Sequence, residues 1–187
     1  MDKFMSEYST RYVMEEGFMI DDQQKFMIEY IGNKPEIKNV LQIGFNGGHG
    51  SCAILSARDD ITVTSVDLGE HSYVDKANDL IEECFPGRHT LIKGDSTEVL
   101  PTLTTTFDLV FVDGGHEDPV PYKDIVNSHR LLNDGGILMV DDYCYSYGRW
   151  GVIDGYNRAV REKLYSHMDI YTFFDDRGVA VSKKVSS

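Results

Sequence analysis

Along the chain, short apolar runs rich in β-branched residues alternate with longer stretches in which apolar residues return every three or four positions. An apolar run of four to eight residues reads as a strand, and the wider spacing as a helix with one buried face. Residues 1–21 are rich in Met and Tyr and show no sustained period, whereas Asp22 to Ile31 sets Phe26, Met27, Tyr30 and Ile31 at helical spacing and predicts a covering helix. Strands are predicted at Asn39–Gly44, Ile61–Asp67, Thr90–Asp95, Phe107–Asp113 and Ile137–Val140. Between and after them the spacing predicts helices from about His49 to Arg58, Tyr73 to Phe85, Pro119 to Leu132 and Val152 to Tyr165, with Pro86-Gly87 stopping the second. A hairpin closes the chain, Ile170 to Phe174 and Val179 to Val185, across the turn Asp175-Asp176-Arg177-Gly178. Strand followed by helix, repeated, predicts βα units around a mostly parallel sheet. Without repeats, low-complexity tracts or Pro- and Ser-rich linkers, residues 1–187 read as one domain, of which 1–35 form an N-terminal covering segment and helix.

Four of the predicted strands end on acids: Asp67, Asp95, Asp113 and the pair Asp141-Asp142. In open α/β sheets ligands bind beyond the carboxyl ends of the strands. Like charges gathered there raise each other's cost of ionisation, so a cationic or hydroxyl-rich ligand is expected. The turn Gly44-Phe45-Asn46-Gly47-Gly48-His49-Gly50 follows the first strand and opens a helix, which is where a nucleotide-binding loop belongs. Asp67 lies some twenty residues on, placed to accept hydrogen bonds from two ribose hydroxyls. That spacing suits NAD or S-adenosylmethionine (SAM). The frame Gly44-x-x-Gly47-Gly48-x-Gly50 departs from the Gly-x-Gly-x-x-Gly that holds a dinucleotide pyrophosphate, which disfavours NAD.

Eighteen Lys and Arg against 31 Asp and Glu give a formal net charge of −13, which repels phosphate backbones and anionic lipid. Neither nucleic acid nor a membrane is an expected partner. Three cysteines, Cys52, Cys84 and Cys144, are too few and too scattered for a zinc site or a disulfide framework, and an odd count fits a reducing compartment. No segment approaches 20 consecutive apolar residues, and Met1 to Met5 lacks the basic start of a leader, so a cytoplasmic protein is expected.

The blocks Val40-Leu41-Gln42-Ile43-Gly44-Phe45-Asn46-Gly47-Gly48-His49, Val66-Asp67, Lys93-Gly94-Asp95-Ser96, Phe107 through His116, and Leu132-Asn133-Asp134-Gly135-Gly136 through Tyr143 together resemble the class I SAM-dependent methyltransferases. Within that class the chain is similar to the small O-methyltransferase-like branch called methyltransferase 24, over roughly residues 17 to 184. The resemblance implies a Rossmann-like three-layer αβα sandwich whose seven-stranded sheet is mostly parallel with the last strand antiparallel. It implies that Gly44 and Gly48, with Asn46 between them, line the methionine part of SAM, that Asp67 holds the ribose, and that Asp95 with Ser96 faces the adenine. Asp113 borders the same cofactor site. The family usually carries an acid where this chain has Gln42, a position tied to the methionyl amino group; glutamine accepts a hydrogen bond there but brings no charge. Relatives often pair as homodimers.

Metal-dependent relatives hold a divalent cation on carboxylates at the ends of strands four and five, where it acidifies the acceptor hydroxyl. The matching residues are Asp113, Asp141 and Asp142, an all-oxygen set suited to Mg²⁺. His116, three residues past Asp113, is the candidate general base, with Asp113 beside it as the other candidate catalytic group. The resulting expectation is metal-assisted O-methylation of a small hydroxylated molecule, a sugar or natural product. The alternatives are a non-catalytic SAM- or partner-binding module, for which Gln42 is the hint, and an NAD-linked oxidoreductase. Tyr143, Tyr145, Tyr147 and Trp150 either line an acceptor loop or pack over the sheet edge. Met14, Phe18 and Met19 are lid or core residues, and His49 either touches the cofactor or starts its helix.

Overall fold

The computed structural model describes residues 19–144, 148–166 and 169–185. Seven strands, β1 (Asn39–Ile43), β2 (Thr62–Asp67), β3 (His89–Lys93), β4 (Phe107–Val112), β5 (Leu132–Val140), β6 (Asp169–Thr172) and β7 (Gly178–Lys183), form one sheet in the order β3-β2-β1-β4-β5-β7-β6. β1 to β5 pair in parallel, and β7 runs antiparallel to both of its neighbours, β5 and β6. The helices are α1 (Asp21–Gly32), α2 (His49–Ala57), α3 (Val74–Cys84), the short α4 (Ser96–Val99), α5 (Val120–Leu131) and α6 (Trp150–Arg161). This is the seven-stranded, mostly parallel Rossmann-like sandwich expected from the blocks. The periodic elements fall within a few residues of their predicted bounds; α4 was not predicted, being too short for a period to show.

Alternation along the strands sends side chains to two apolar layers. Val40, Val63, Leu109, Phe111 and Met139 pack with Met27, Ile31, Ile54, Ala77 and Ile81 on the face covered by α1, α2 and α3. Leu41, Ile43, Val110, Val112, Leu138 and Val140 pack with Leu100, Ile125, Ile153 and Tyr156 on the face covered by α5 and α6. Asn133 to Gly136, whose Asn-Asp-Gly-Gly sequence reads locally as a turn between the predicted helix and strand, lies within β5, where pairing with β4 jumps from Phe107↔Leu132 to Leu109↔Ile137. It is a bulge inside a longer strand, since Leu132 still finds a partner before the chain loops out. Among the described residues no helix is long and apolar enough to cross a membrane.

One buried carboxyl lies outside the cavity wall. Asp124, on the inner side of α5, has no exposed surface, and neither of its carboxylate oxygens is matched by a hydrogen bond. Burial pushes its carboxyl up to about 7, the nearby Ser96 hydroxyl offsetting part of the rise and the Asp95 charge adding to it. The folded state thus holds a proton that the unfolded chain releases near pH 4, so stability falls as pH rises from about 4 to about 7 and is flat beyond. The full penalty is on the order of 4 kcal/mol at about 1.4 kcal/mol per unit. Asp124→Asn should therefore be more stable than wild type at pH 8 and converge on it at pH 4, read from urea midpoints at both pH values. Equal differences at the two pH values would contradict this.

Candidate active site

The sheet order reverses at β1, which pairs with β2 on one side and β4 on the other. Beyond the carboxyl ends of these strands lies a cavity of about 600 Å³, within the range of small-ligand sites. The chain enters it through Gly44, whose φ is +92° and whose missing side chain is essential: a Cβ there would lie 1.9 Å from the Asp113 carbonyl oxygen. Asn46 follows in the left-handed region that asparagine tolerates, and α2 starts at His49. The loop is held from β2. Asp67 Oδ2 accepts from the backbone N–H groups of Phe45 and Asn46, each at 2.8 Å, and Oδ1 accepts from Gly69 at 2.8 Å. Asp67 is therefore both loop anchor and cavity wall, with one lone pair left on Oδ1 for a ligand hydroxyl.

Asp95 caps the N-terminus of α4 by accepting from Thr97 N–H at 2.8 Å, and it lines the cavity together with Ser96. At the other end stand Asp113, Asp141, Asp142, His116, Arg149 and Arg177. Burial, reinforced by the charges of Asp141 and Asp142 and opposed by Arg149 and Arg177, holds the Asp113 carboxyl well above the usual carboxylate range. Asp141 is raised for the same first reason, with Asp142 adding to it. Asp142 goes the other way: burial would raise it, but the hydrogen bond from His116 and the neighbouring positive charges pull it below the ordinary value. One site thus holds two carboxyls that resist ionisation beside one that favours it.

His116 joins two partners. Its Nδ1 lies 2.7 Å from Arg149 Nη1, and because a guanidinium only donates, Nδ1 must offer a lone pair. Nε2 therefore carries the hydrogen and gives it to Asp142 Oδ2 at 2.8 Å. Arg149 Nε also sits 3.6 Å from the same carboxylate oxygen. Asp141 is engaged from the opposite layer, its Oδ1 accepting from Gln23 Nε2 of α1 at 3.0 Å.

These contacts bear on the expected Mg²⁺. Asp113, Asp141 and Asp142 do line one end of one cavity. However, among the described residues no three His, Cys, Asp or Glu side chains are grouped so as to hold a metal. A cation taking Asp142 Oδ2 or Asp141 Oδ1 would have to displace His116 and Arg149 or Gln23. As arranged the acids do not form a divalent-ion site: Asp142 Oδ2 and Asp141 Oδ1 each face an organic donor, and no three ligands are grouped among the described residues.

Gln42, Gly44, Asn46, Asp67, Asp95, Ser96, Asp113, His116, Asp141 and Asp142, all expected from the sequence, line this one cavity; Gly48 stands just behind it as the N-cap of α2. His49 lines it too, its imidazole pushed down to about 4 by burial. Met19, also in the wall, is buried. Met14, Phe18, Tyr145 and Tyr147 lie outside the described residues. Tyr143 is buried, its hydroxyl 3.0 Å from Asn157 Oδ1, and it packs on Tyr156 instead of facing the cavity. Trp150 is exposed. The sequence reading missed Gln23, Arg149 and Arg177. A cation following an acidic strand end was the only signal for Arg149, and nothing local pointed to Gln23, which is 118 positions from its partner.

A parallel sheet with an antiparallel β7, a glycine bend after β1 and an acidic rim define the SAM-methyltransferase class of Rossmann-like domains. The family model described as a methyltransferase domain, methyltransferase 24, matches residues 41–143, and the chain belongs to that family. The O-methyltransferase hkm8 of Aspergillus hancockii is 41% identical over 59 residues, 32% of this chain and 23% of that protein, so the match spans about a quarter of the relative. Among solved structures, the Bacillus cereus O-methyltransferase in complex with S-adenosylhomocysteine (SAH) superposes with a TM-score of 0.79 at 15% identity, over 98% of this chain and 90% of that one. TomG of Streptomyces achromogenes, an O-methyltransferase of tomaymycin synthesis solved with SAM, gives 0.76 at 18% identity, over 98% and 87%. At these identities the structural likenesses show the fold.

Proposed function

We propose that this chain is a SAM-dependent methyltransferase that methylates a hydroxyl of a small molecule, a sugar or natural product. The observation that carries the reading is the continuity of one cavity from the Asp67, Asp95 and Ser96 end, suited to an adenosine, to the His116 and Asp142 end, suited to a proton transfer. Bound SAM supplies an electrophilic methyl group on a sulfonium. The rest falls to the protein, which must align the acceptor oxygen and remove its proton as the new O–C bond forms.

His116 is the group we assign to that proton. An acceptor hydroxyl entering beside it takes the place of Arg149 at Nδ1 and donates its proton there. The ionised Asp142, already bonded to Nε2, fixes the tautomer and stabilises the imidazolium, the logic by which a carboxylate orients any catalytic histidine. Arg149 and Arg177 limit the charge built up by the three acids. Asp113, at the centre of the rim and hard to ionise alone, is assigned to the cationic part of the cofactor, whose charge would favour its carboxylate.

The reading is tested by titrating wild type with SAH in a calorimeter and assaying transfer of labelled methyl from SAM to a panel of hydroxylated acceptors. Saturable binding and transfer are expected; binding with no transfer to any acceptor would favour a non-catalytic SAM-binding module. Since Asp141 and Asp142 are each engaged by protein donors and no three ligands are grouped among the described residues, turnover should persist in excess EDTA. Loss of turnover on chelation, restored by Mg²⁺, would show that the acids rearrange around a cation.

A further inference from the structure

Behind the glycine bend lies a row of buried polar side chains that the chemistry above does not use. Gln42, Ser51 and Ser65 come from β1, α2 and β2, and none has any exposed surface. Gln42 Nε2 donates to the Gly44 carbonyl at 2.7 Å. A carbonyl only accepts, so the amide nitrogen must point at Gly44 and Oε1 must point inward, where it accepts from the Ser51 hydroxyl. The hydroxyls of Ser51 and Ser65 are 3.0 Å apart, and both approach His89 Nε2, at 3.2 and 2.9 Å. His89 Nδ1 in turn lies 3.0 Å from Asn78 Oδ1 on α3. As Oδ1 accepts, Nδ1 carries the hydrogen, and Nε2 is the acceptor for a serine hydroxyl.

We propose that Gln42, Ser51, Ser65 and His89 form an uncharged positioning relay that fixes the Gly44 carbonyl for the amino group at the methionyl end of the cofactor. The relay stands in for the acid that the family resemblance places at position 42. This rests on the reading that SAM occupies the cavity.

Three observations support the assignment. First, burying Gln42, Ser51 and Ser65 costs free energy unless every one is satisfied, and an apolar cluster would fill the same space without that requirement. Here each member has its partners, and the row ends on a carbonyl of the cavity wall. Second, room has been left for it: a Cβ at Gly50 would lie 2.6 Å from Gln42 Nε2, so the first turn of α2 admits the amide only because that residue is glycine. Third, the far end is closed. The Phe45 ring, from the bend itself, packs at 5.0 Å on the His89 imidazole, and burial pushes that imidazole down to about 4, so the relay is neutral across the working range.

The assignment reverses a simple expectation. Charge complementarity alone says that Gln42→Glu, by adding a carboxylate near an ammonium, should tighten cofactor binding. In the relay the same change removes the donor to Gly44 and sets an anion against a carbonyl lone pair, so binding should weaken.

The experiment compares two ligands by calorimetry on folded wild type, Gln42→Glu and Ser51→Ala. SAH carries the amino acid; 5′-methylthioadenosine has the same adenosyl thioether without it. Both variants should lose about fivefold to tenfold in SAH affinity, the worth of one hydrogen bond, and keep affinity for 5′-methylthioadenosine within about twofold. Equal losses for both ligands would mean that the row only packs the sheet, and unchanged or tighter SAH binding by Gln42→Glu would overturn the relay directly. Should Gln42→Glu fail to fold, Ser51→Ala, which removes one hydroxyl, decides alone. Absence of SAH binding by wild type is a separate result that sinks the cofactor reading itself.

Discussion

His116→Ala should lower kcat by about 10² to 10⁴, the usual contribution of a positioned general base, with SAH affinity held within about twofold. The split follows from where the imidazole sits. It lies at the Asp142 end of the cavity, across from the Asp67 and Asp95 anchors of the proposed adenosine site, so removing it leaves the proposed cofactor contacts in place. Asp142→Asn tests the same pair from the other side. An amide at position 142 still forms a hydrogen bond to Nε2 but cannot stabilise an imidazolium, and kcat should fall while the fold is kept. Arg149→Ala separates the two roles, because losing the guanidinium frees Nδ1 and removes a positive charge 3.6 Å from Asp142. It should weaken turnover less than His116→Ala. Steady-state kinetics alongside calorimetric SAH binding reads all three; wild-type turnover in His116→Ala would remove this residue from the chemistry.

Gly44→Ala should be a severely damaging single-methyl change. Its Cβ would fall 1.9 Å from the Asp113 carbonyl oxygen, which is backbone and cannot swing aside, and the residue would be held at a φ of +92°. The surrounding chain has little slack: Gly44 N–H donates to the Val66 carbonyl and Asp113 N–H to the Ile43 carbonyl, both at 2.8 Å. Overpacking and backbone strain together amount to about 3 to 5 kcal/mol. For a domain of this size that lowers Tm by about 6 to 20 °C. Cofactor binding should be lost as well, because relief of the clash moves Asp113 and the bend together. A variant melting within about 2 °C of wild type would show that the bend and the β4 end are not in this contact.

Strand positions, the helices around them and the row of strand-end acids were legible because each is written in local pattern. Alternation along β1 assigns Leu41 and Ile43 to one layer and Val40 to the other, and an acid closing such a run must emerge at the sheet's edge. The same rule put Gln42 on the face under α2, but nothing local could say which way its amide turned. That depends on Ser51 and Ser65, brought beside it by the crossover. The bulge at Asn133 to Gly136 looked like a plain turn because its Gly-Gly signal is local, whereas the pairing of Leu132 with Phe107 that extends the strand is not.

The electrostatics of the rim divide along the same line. Hydrophobic period and glycine placement, read from the sequence alone, determined the sheet, the bend after β1 and the gathering of Asp67, Asp95, Asp113, Asp141 and Asp142 at one edge. What those acids face was decided only in three dimensions: Gln23 reaches Asp141 from a helix 118 positions away, and His116 and Arg149 close on Asp142 from two separate loops. A carboxylate next to a guanidinium and one next to a second carboxyl are the same letter in the chain. Whether such a group keeps or loses its proton is set by burial and by neighbours within a few ångströms, and only the folded chain brings those together.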